Sequence, residues 1–220
     1  MVEAGYSIRQ LSKRRRKQSI KKLAVAAVLF IAPALSYLVL DITGISLFIH
    51  VCCWVGAANQ AQKGLERLQK AGRASIGAEA EKLVASILSE LEREGWKIEY
   101  NLPLRYWGDA DAFLRSPKGN CFVVDTKGNS GTVIFDGTQL MLRYGRKVYP
   151  FDDNKDVLND VKGQAATLKE TYQVRFVTPI LCFTKAKLDK RIIGGKVGKI
   201  ENVLILNHNC LVSTLKKLDR

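Results

Sequence analysis

The chain has 220 residues, of which 47% are hydrophobic, and a formal net charge of +14. That is room for one ordinary domain plus something extra, with a packed core. The five cysteines, Cys52, Cys53, Cys121, Cys182 and Cys210, are odd in number and lack CxxC spacing, which excludes a disulfide framework and a structural zinc site. They read as ordinary buried cysteines in a reducing compartment.

The charge is unevenly spread. Residues 1–22 carry Arg9, Lys13, Arg14, Arg15, Arg16, Lys17, Lys21 and Lys22 against Glu3. Leu23 to Leu40 holds no charged residue, and Ile45 to Ala58 is a second apolar run, with the polar turn Asp41-Ile42-Thr43-Gly44 between them. Lysine and arginine resume at Lys63 and Arg67. Basic residues outside two apolar segments and none between predict a transmembrane helical hairpin with both ends cytoplasmic. Tyr37 and Trp54 are its interfacial aromatics, and Pro33 is a kink of the kind membrane helices tolerate. His50, inside the second run, reads as accommodated there. The domain expectation is a basic cytoplasmic N-terminus (1–22), two transmembrane helices (23–60), a linker helix (61–74) and a cytoplasmic domain (75–220). A cleaved signal peptide fits less well, because a second apolar run follows the first.

Residues 59–76 continue as a helix loosened by Gly72 and Ser75. From Ser75 an amphipathic helix runs to about Glu94, with Val84, Ile87, Leu88 and Leu91 at helical spacing and Gly95 as its stop. Glu81 borders that buried stripe, whereas Glu79 projects to solvent. Trp96–Tyr100 alternates as a strand. Two further strands surround Ser116-Pro117-Lys118-Gly119, whose proline and glycine specify a hairpin turn. Thr132–Phe135 is a strand, and Leu140–Tyr149 a hairpin about Gly145. A helix over Asp156–Tyr172 places Gln164 among Val157, Val161 and Leu168. Strands within Val174–Phe183 and over Val203–Leu206 follow, then a helix from Cys210 to Leu218. This order predicts an α/β (α+β) domain with a mixed sheet.

Three charged residues interrupt apolar strands: Asp111, Asp125 and Lys127. A buried carboxylate is costly unless it is paired or holds a metal. If Asp111 lies across from Asp125, paired positions sum to 236 and the loop is odd, such as Pro117-Lys118-Gly119 with glycine left-handed. Asp125 and Lys127 share a face, and Glu81 approaches from the helix. Hard oxygen ligands suit Mg²⁺ or Mn²⁺, which keep waters and bind phosphate oxygens. Lys127 is placed to orient water and stabilise charge at phosphorus. The reaction class is metal-assisted phosphodiester hydrolysis.

Gly77-Ala78-Glu79-Ala80-Glu81-Lys82-Leu83-Val84, Gly108-Asp109-Ala110-Asp111 and Val123-Val124-Asp125-Thr126-Lys127-Gly128-Asn129-Ser130-Gly131 resemble the nuclease-related domain (NERD) family of the PD-(D/E)xK nuclease superfamily. Asn159 and Gln164 resemble that family's later Asn-Pro…Gln helix. The resemblance covers roughly residues 75–207. It implies a restriction-endonuclease-like mixed sheet flanked by helices. It also implies catalytic Glu81, Asp111, Asp125 and Lys127, the three carboxylates as metal ligands, and Gln164 and Asp109 as accessory residues. Ala80 replaces the usual glycine, Asp125 the more usual glutamate, and Asp160 or its neighbour the usual proline. The expectation is a membrane-anchored nuclease acting on nucleic acid, DNA first, with lipid bilayer as the other partner. The alternative is an inactive nuclease fold that binds nucleic acid or protein. Gly194-Gly195-Lys196-Val197-Gly198-Lys199 lacks the Walker spacing and reads as a basic loop for nucleic-acid backbone. Trp96, Tyr106 and Trp107 read as core or rim rather than base-stacking platforms.

Overall fold

The computed structural model describes residues 6–36, 44–151, 155–192 and 197–219. Tyr37, the turn residues Asp41, Ile42 and Thr43, and Gly194-Gly195-Lys196 lie outside the described residues. The chain divides into two compact units, one of Ser7–Ser75 and one made chiefly of Ile76–Arg220.

The first unit is a pair of helices. Helix α1 spans Tyr6–Ser36, and α2 spans Gly44–Glu92 and so continues past this unit. Arg67 donates to Gln18, a Cβ on Gly64 would stand 3.0 Å from Leu23, and the Phe30 and Trp54 rings lie 6.4 Å apart. These pairings make the helices antiparallel, with Gly64 allowing close approach. His50 is buried within the second apolar run. Among the described residues no helix is long and apolar enough to cross a membrane, so the transmembrane character predicted for residues 23–60 is unsupported. The apolar stretch Ile45–Ala58 falls short of the roughly 20 residues a span needs. The basic run Lys13–Lys17 lies inside α1 rather than ahead of it.

The expected new start at Ser75 is also corrected, because α2 is continuous through Gly72, Ser75 and Gly77. A glycine costs a helix only about 1 kcal/mol, and the surrounding Ala, Leu, Lys and Glu are strong formers. After Glu92 the chain turns, with Gly95 at φ 85°.

The second unit centres on a six-stranded sheet in the order β1-β2-β3-β7-β10-β9. Its strands are β1 (Lys97–Leu104), β2 (Gly108–Arg115), β3 (Cys121–Lys127), β7 (Val177–Phe183), β9 (Val197–Ile200) and β10 (Val203–Asn207). β3, β7 and β10 run parallel and the rest antiparallel. A second sheet, β6-β5-β4-β8, comprises β4 (Thr132–Phe135), β5 (Leu140–Tyr144), β6 (Lys147–Pro150) and β8 (Lys187–Leu188). The fold is thus mixed α/β, but with two sheets rather than one. β8 and β9 carry no alternation long enough to read from sequence. β9 also revises the basic loop, since Val197–Lys199 belong to a strand paired with β10.

Each face of the large sheet has its own core. On one, Val84, Leu88 and Leu91 of α2 and Leu211 and Leu215 of α4 (Leu211–Leu218) cover Leu114, Phe122, Val124, Ile180 and Leu206. On the other, Leu158, Val161 and Leu168 of α3 (Val157–Thr171), with Val133, Leu140 and Leu142 of the small sheet, cover Phe113, Val123, Leu181 and Ile205. Asp156 caps α3 by accepting from the Leu158 and Asn159 amides. Trp96 is core, against Phe122, while Tyr106 is exposed at the rim. Cys121 and Cys182 are buried, but Cys52 is exposed and Cys53 and Cys210 are half-buried, against the expectation that all five are core residues.

Candidate active site

The β2–β3 hairpin has the register that aligns its two aspartates. Ala112↔Val124, Phe113↔Val123, Leu114↔Phe122 and Arg115↔Cys121 all sum to 236. The Ser116 amide donates to the Asn120 carbonyl, closing the odd loop Pro117-Lys118-Gly119 with Gly119 at φ 86°. Asp111 and Asp125 come one step beyond the last of these pairs.

At that step the β1–β2 ladder turns over. Ile98, Tyr100, Ala112 and Leu114 pack on the α2 side, whereas Leu102, Leu104 and Ala110 pack on the α3 side. Strict alternation would keep each set on one face. The slip falls at Asn101, left-handed at φ 53°, which the register sets opposite Asp111. Such irregularities gather at functional sites because they re-aim a side chain. Freed from the ladder, Asp111 turns its carboxylate on the next strand, where Oδ2 accepts from the Thr126 amide at 2.6 Å.

Lys127 Nζ lies 2.8 Å from Asp125 Oδ2 and donates to Oδ1 at 3.2 Å. The Oδ2 contact is an ion pair without hydrogen-bond direction, so Oδ2 keeps its acceptor capacity, as does buried Oε2 of Glu81. Gly128 lets the turn of α2 that precedes Glu81 pack on the end of β3. A Cβ there would stand 2.9 Å from Ile76 and 3.1 Å from Ala80, so only glycine lets α2 seat directly on the end of β3.

The carboxyls repel one another. Burial, then Asp125 and Asp109, push the Glu81 carboxyl up to about 7, with Lys127 pulling the other way. Burial, then Asp125 and Glu81, hold Asp111 well above the ordinary carboxylate range despite the Thr126 amide and Lys127. Burial alone would lower Lys127, but Asp125, Asp111 and Asp160 outweigh it and raise the ammonium's pKa. Lys127 is therefore a cation and a donor at neutral pH. Burial likewise pushes the Cys182 thiol, behind the two aspartates, up to about 12, so it is no nucleophile.

A cleft of about 220 Å³ opens on this group, lined by Asp109, Asp125, Lys127, Asn129, Lys155, Asp160 and Gln164 among others. Glu81 and Asp111 are not part of its lining. Gln164 is buried and donates to the carbonyls of Trp107 and Asp109 at 3.3 and 3.4 Å, so it braces the β1–β2 turn while its Oε1 has no partner. Trp107 stacks on α3 at Gly163, where a Cβ would lie 2.2 Å from the indole. Asn159 is exposed and donates to the Asp156 cap. Glu79 is solvated, 3.7 Å from Lys185. The residues missed from sequence are Asp160, Lys155 and Asn129. Asp160 was recoverable, since it precedes Gln164 by four and shares its helix face.

Among the described residues no three His, Cys, Asp or Glu side chains are arranged to enclose a metal ion. Mg²⁺, however, is commonly held by one or two carboxylates with water and substrate phosphate completing its shell. Oε2 of Glu81, which has no hydrogen bond, Oδ2 of Asp125, whose one close contact is the Lys127 ammonium, and the mutual repulsion of the carboxylates fit that kind of site.

Residues 76–184 match the family model for the nuclease-related domain. That segment is a nuclease-related domain. No curated protein and no solved structure matches the chain. In this nuclease-related domain, the matched segment takes in α2 from Ile76, the hairpin with both aspartates, Lys127, and α3 with Gln164.

Proposed function

We propose that this protein hydrolyses phosphodiester bonds of nucleic acid, DNA in the first instance, with a bound divalent cation, Mg²⁺ or Mn²⁺. The observation that carries the reading is Asp125, ion-paired to Lys127 on β3 and electrostatically coupled to Glu81 and Asp111. Asp125 and Glu81 would hold the cation, with Asp111 in support. The cation would supply Lewis acidity at phosphorus and lower the pKa of a bound water.

The chain's own residues do the rest. Lys127, kept protonated by its aspartates, donates to the attacking water or to a non-bridging oxygen and stabilises charge as it develops. Asp111 fixes the β3 backbone through Thr126 N–H, which sets the direction of Asp125 and Lys127. Gln164 holds the turn bearing Asp109 at the cleft wall. Lys155 adds positive charge at the same cleft.

The full chain is tested on labelled DNA and RNA with Mg²⁺, with Mn²⁺ and in chelator. Asp125→Ala and Lys127→Ala should abolish cutting with the fold intact. Equal cutting by wild type and both variants defeats the assignment. Binding that persists in chelator, with no cleavage of any substrate, selects the inactive nuclease-fold module instead.

We also propose that the first unit associates with a lipid bilayer. Val25, Val28, Phe30 and Ile31 on α1 and Val51, Trp54 and Val55 on α2 are each about half exposed or more. Apolar surface on that scale marks an interaction site, and the basic run beside it suits anionic headgroups. The nuclease-related domain would then face the cytoplasm. Recovery in the soluble fraction without detergent, or a reporter at residue 60 reading out as non-cytoplasmic, would refute this topology.

A further inference from the structure

The small sheet ends in an edge that the site's chemistry leaves unused. All four residues of β6 are exposed. Tyr144 and Lys147 pair across the β5–β6 hairpin, as do Leu142 and Tyr149, so these four side chains share a face. At the inner end that face is core, with Leu142 buried. Towards the turn it emerges as Tyr144, and on the edge strand across from Leu142 as Tyr149, 43% and 45% exposed, with their rings 6.1 Å apart and inclined at 63°. The turn between the strands is Gly145-Arg146, and neither Arg146 nor Lys147 forms an ion pair with any described residue.

Two connections tie this face to the cleft. The Tyr144 ring lies on Gly131, where a Cβ would be 2.9 Å from it, and Gly131 closes the short loop that leaves Lys127 and contributes Asn129 to the cleft. Phe151, immediately after β6, lines the cleft as well. The surface therefore continues outward from the lysine that the proposed reaction uses.

We infer that the β5–β6 hairpin is a docking arm for single-stranded nucleic acid, with unstacked bases laid on Tyr144 and Tyr149 and phosphates against Arg146 and Lys147. This rests on the nuclease reading and names its substrate form. Aromatic faces interleaved with cations are what a strand with free bases requires. An exposed edge strand invites pairing with a second copy, but Lys147 and Pro150 on β6 are residues that blunt such pairing.

The test is fluorescence anisotropy of the full chain with labelled oligo-dT, and with a labelled duplex, in chelator so that no cutting occurs. Tyr149→Ala should weaken oligo-dT binding about tenfold, while Tyr149→Phe, which keeps the ring, should bind like wild type. Arg146→Ala with Lys147→Ala should shrink the slope of log affinity against log salt by about 1.4, from two single-strand phosphate contacts. The inference is overturned if all variants bind oligo-dT within twofold of wild type, or if duplex binds as tightly as oligo-dT. It is likewise overturned if the variants alter only the oligomeric state. Should Tyr149→Ala lose binding while wild type cleaves nothing, the docking arm stands and the hydrolytic reading falls.

Discussion

Replacing Glu81 by glutamine should stabilise the protein when no cation is present. Glu81 is pushed from 4.5 to about 7, chiefly by burial and then by Asp125 and Asp109. The folded state therefore binds this proton more tightly than the unfolded chain. Between these values the folded state carries more protons, so stability must fall as pH rises from about 4.5 to about 7. Each unit is worth about 1.4 kcal/mol, which gives roughly 2–3 kcal/mol of destabilisation above neutrality after allowance for partial exposure. Glu81→Gln removes the charge while keeping the shape, and Oε2 has no hydrogen bond to lose. In chelator at pH 8.5 the variant should melt roughly 5–10 °C above wild type, with the gap closing towards pH 4.5. Saturating Mg²⁺ should raise the wild-type melting temperature and narrow the difference, because a cation relieves the same repulsion. Thermal melts at four pH values, with and without chelator, measure all of this. A variant no more stable than wild type at pH 8.5 in chelator would refute the electrostatic account of the site.

Three further outcomes follow from the cleft walls. Gly163→Ala must displace the Trp107 indole and should cost about 1–3 kcal/mol by urea denaturation, although alanine favours the helix. Combined with Trp107→Ala the loss should be well below additive in a double-mutant cycle. Gln164→Ala frees the Trp107 and Asp109 carbonyls from their brace and should cost about 1–2 kcal/mol, with a slower cleavage rate and little change in oligonucleotide affinity measured in chelator. Gly131→Ala, at φ 90° and against Tyr144, should destabilise by about 2 kcal/mol or more and shift the tyrosine fluorescence of the β5–β6 hairpin.

Much of the second unit was legible because its signals are local. Pro117 and Gly119 specify the hairpin turn, the register at 236 is the one that an odd loop there permits, and the spacing of Val84, Leu88 and Leu91 gives the buried face of α2. Other features depend on partners distant in sequence. β8 has two residues and forms only because β4 offers it a parallel edge. The half-turn at Asn101 and Asp111 has no periodic signature, because it is the failure of one. Gly128 and Gly163 read as unremarkable until Ile76 and Trp107 are seen against them. The apolar runs of the first unit were plain in the sequence. Composition alone suggested a span, whereas the helices of the described residues do not reach the length and apolarity it needs.

The central claim is that Asp125 and Lys127 are paired for metal-dependent phosphodiester hydrolysis. Its most direct test is single-turnover cleavage of an end-labelled oligonucleotide by full-length wild type, Asp125→Asn and Lys127→Ala, first in chelator and then after adding excess Mg²⁺ or Mn²⁺. The account predicts no cutting in chelator, cutting by wild type once the cation is restored, and a loss of about a thousandfold or more in both variants. Cutting that survives chelation, or that Asp125→Asn retains at the wild-type rate, would contradict it.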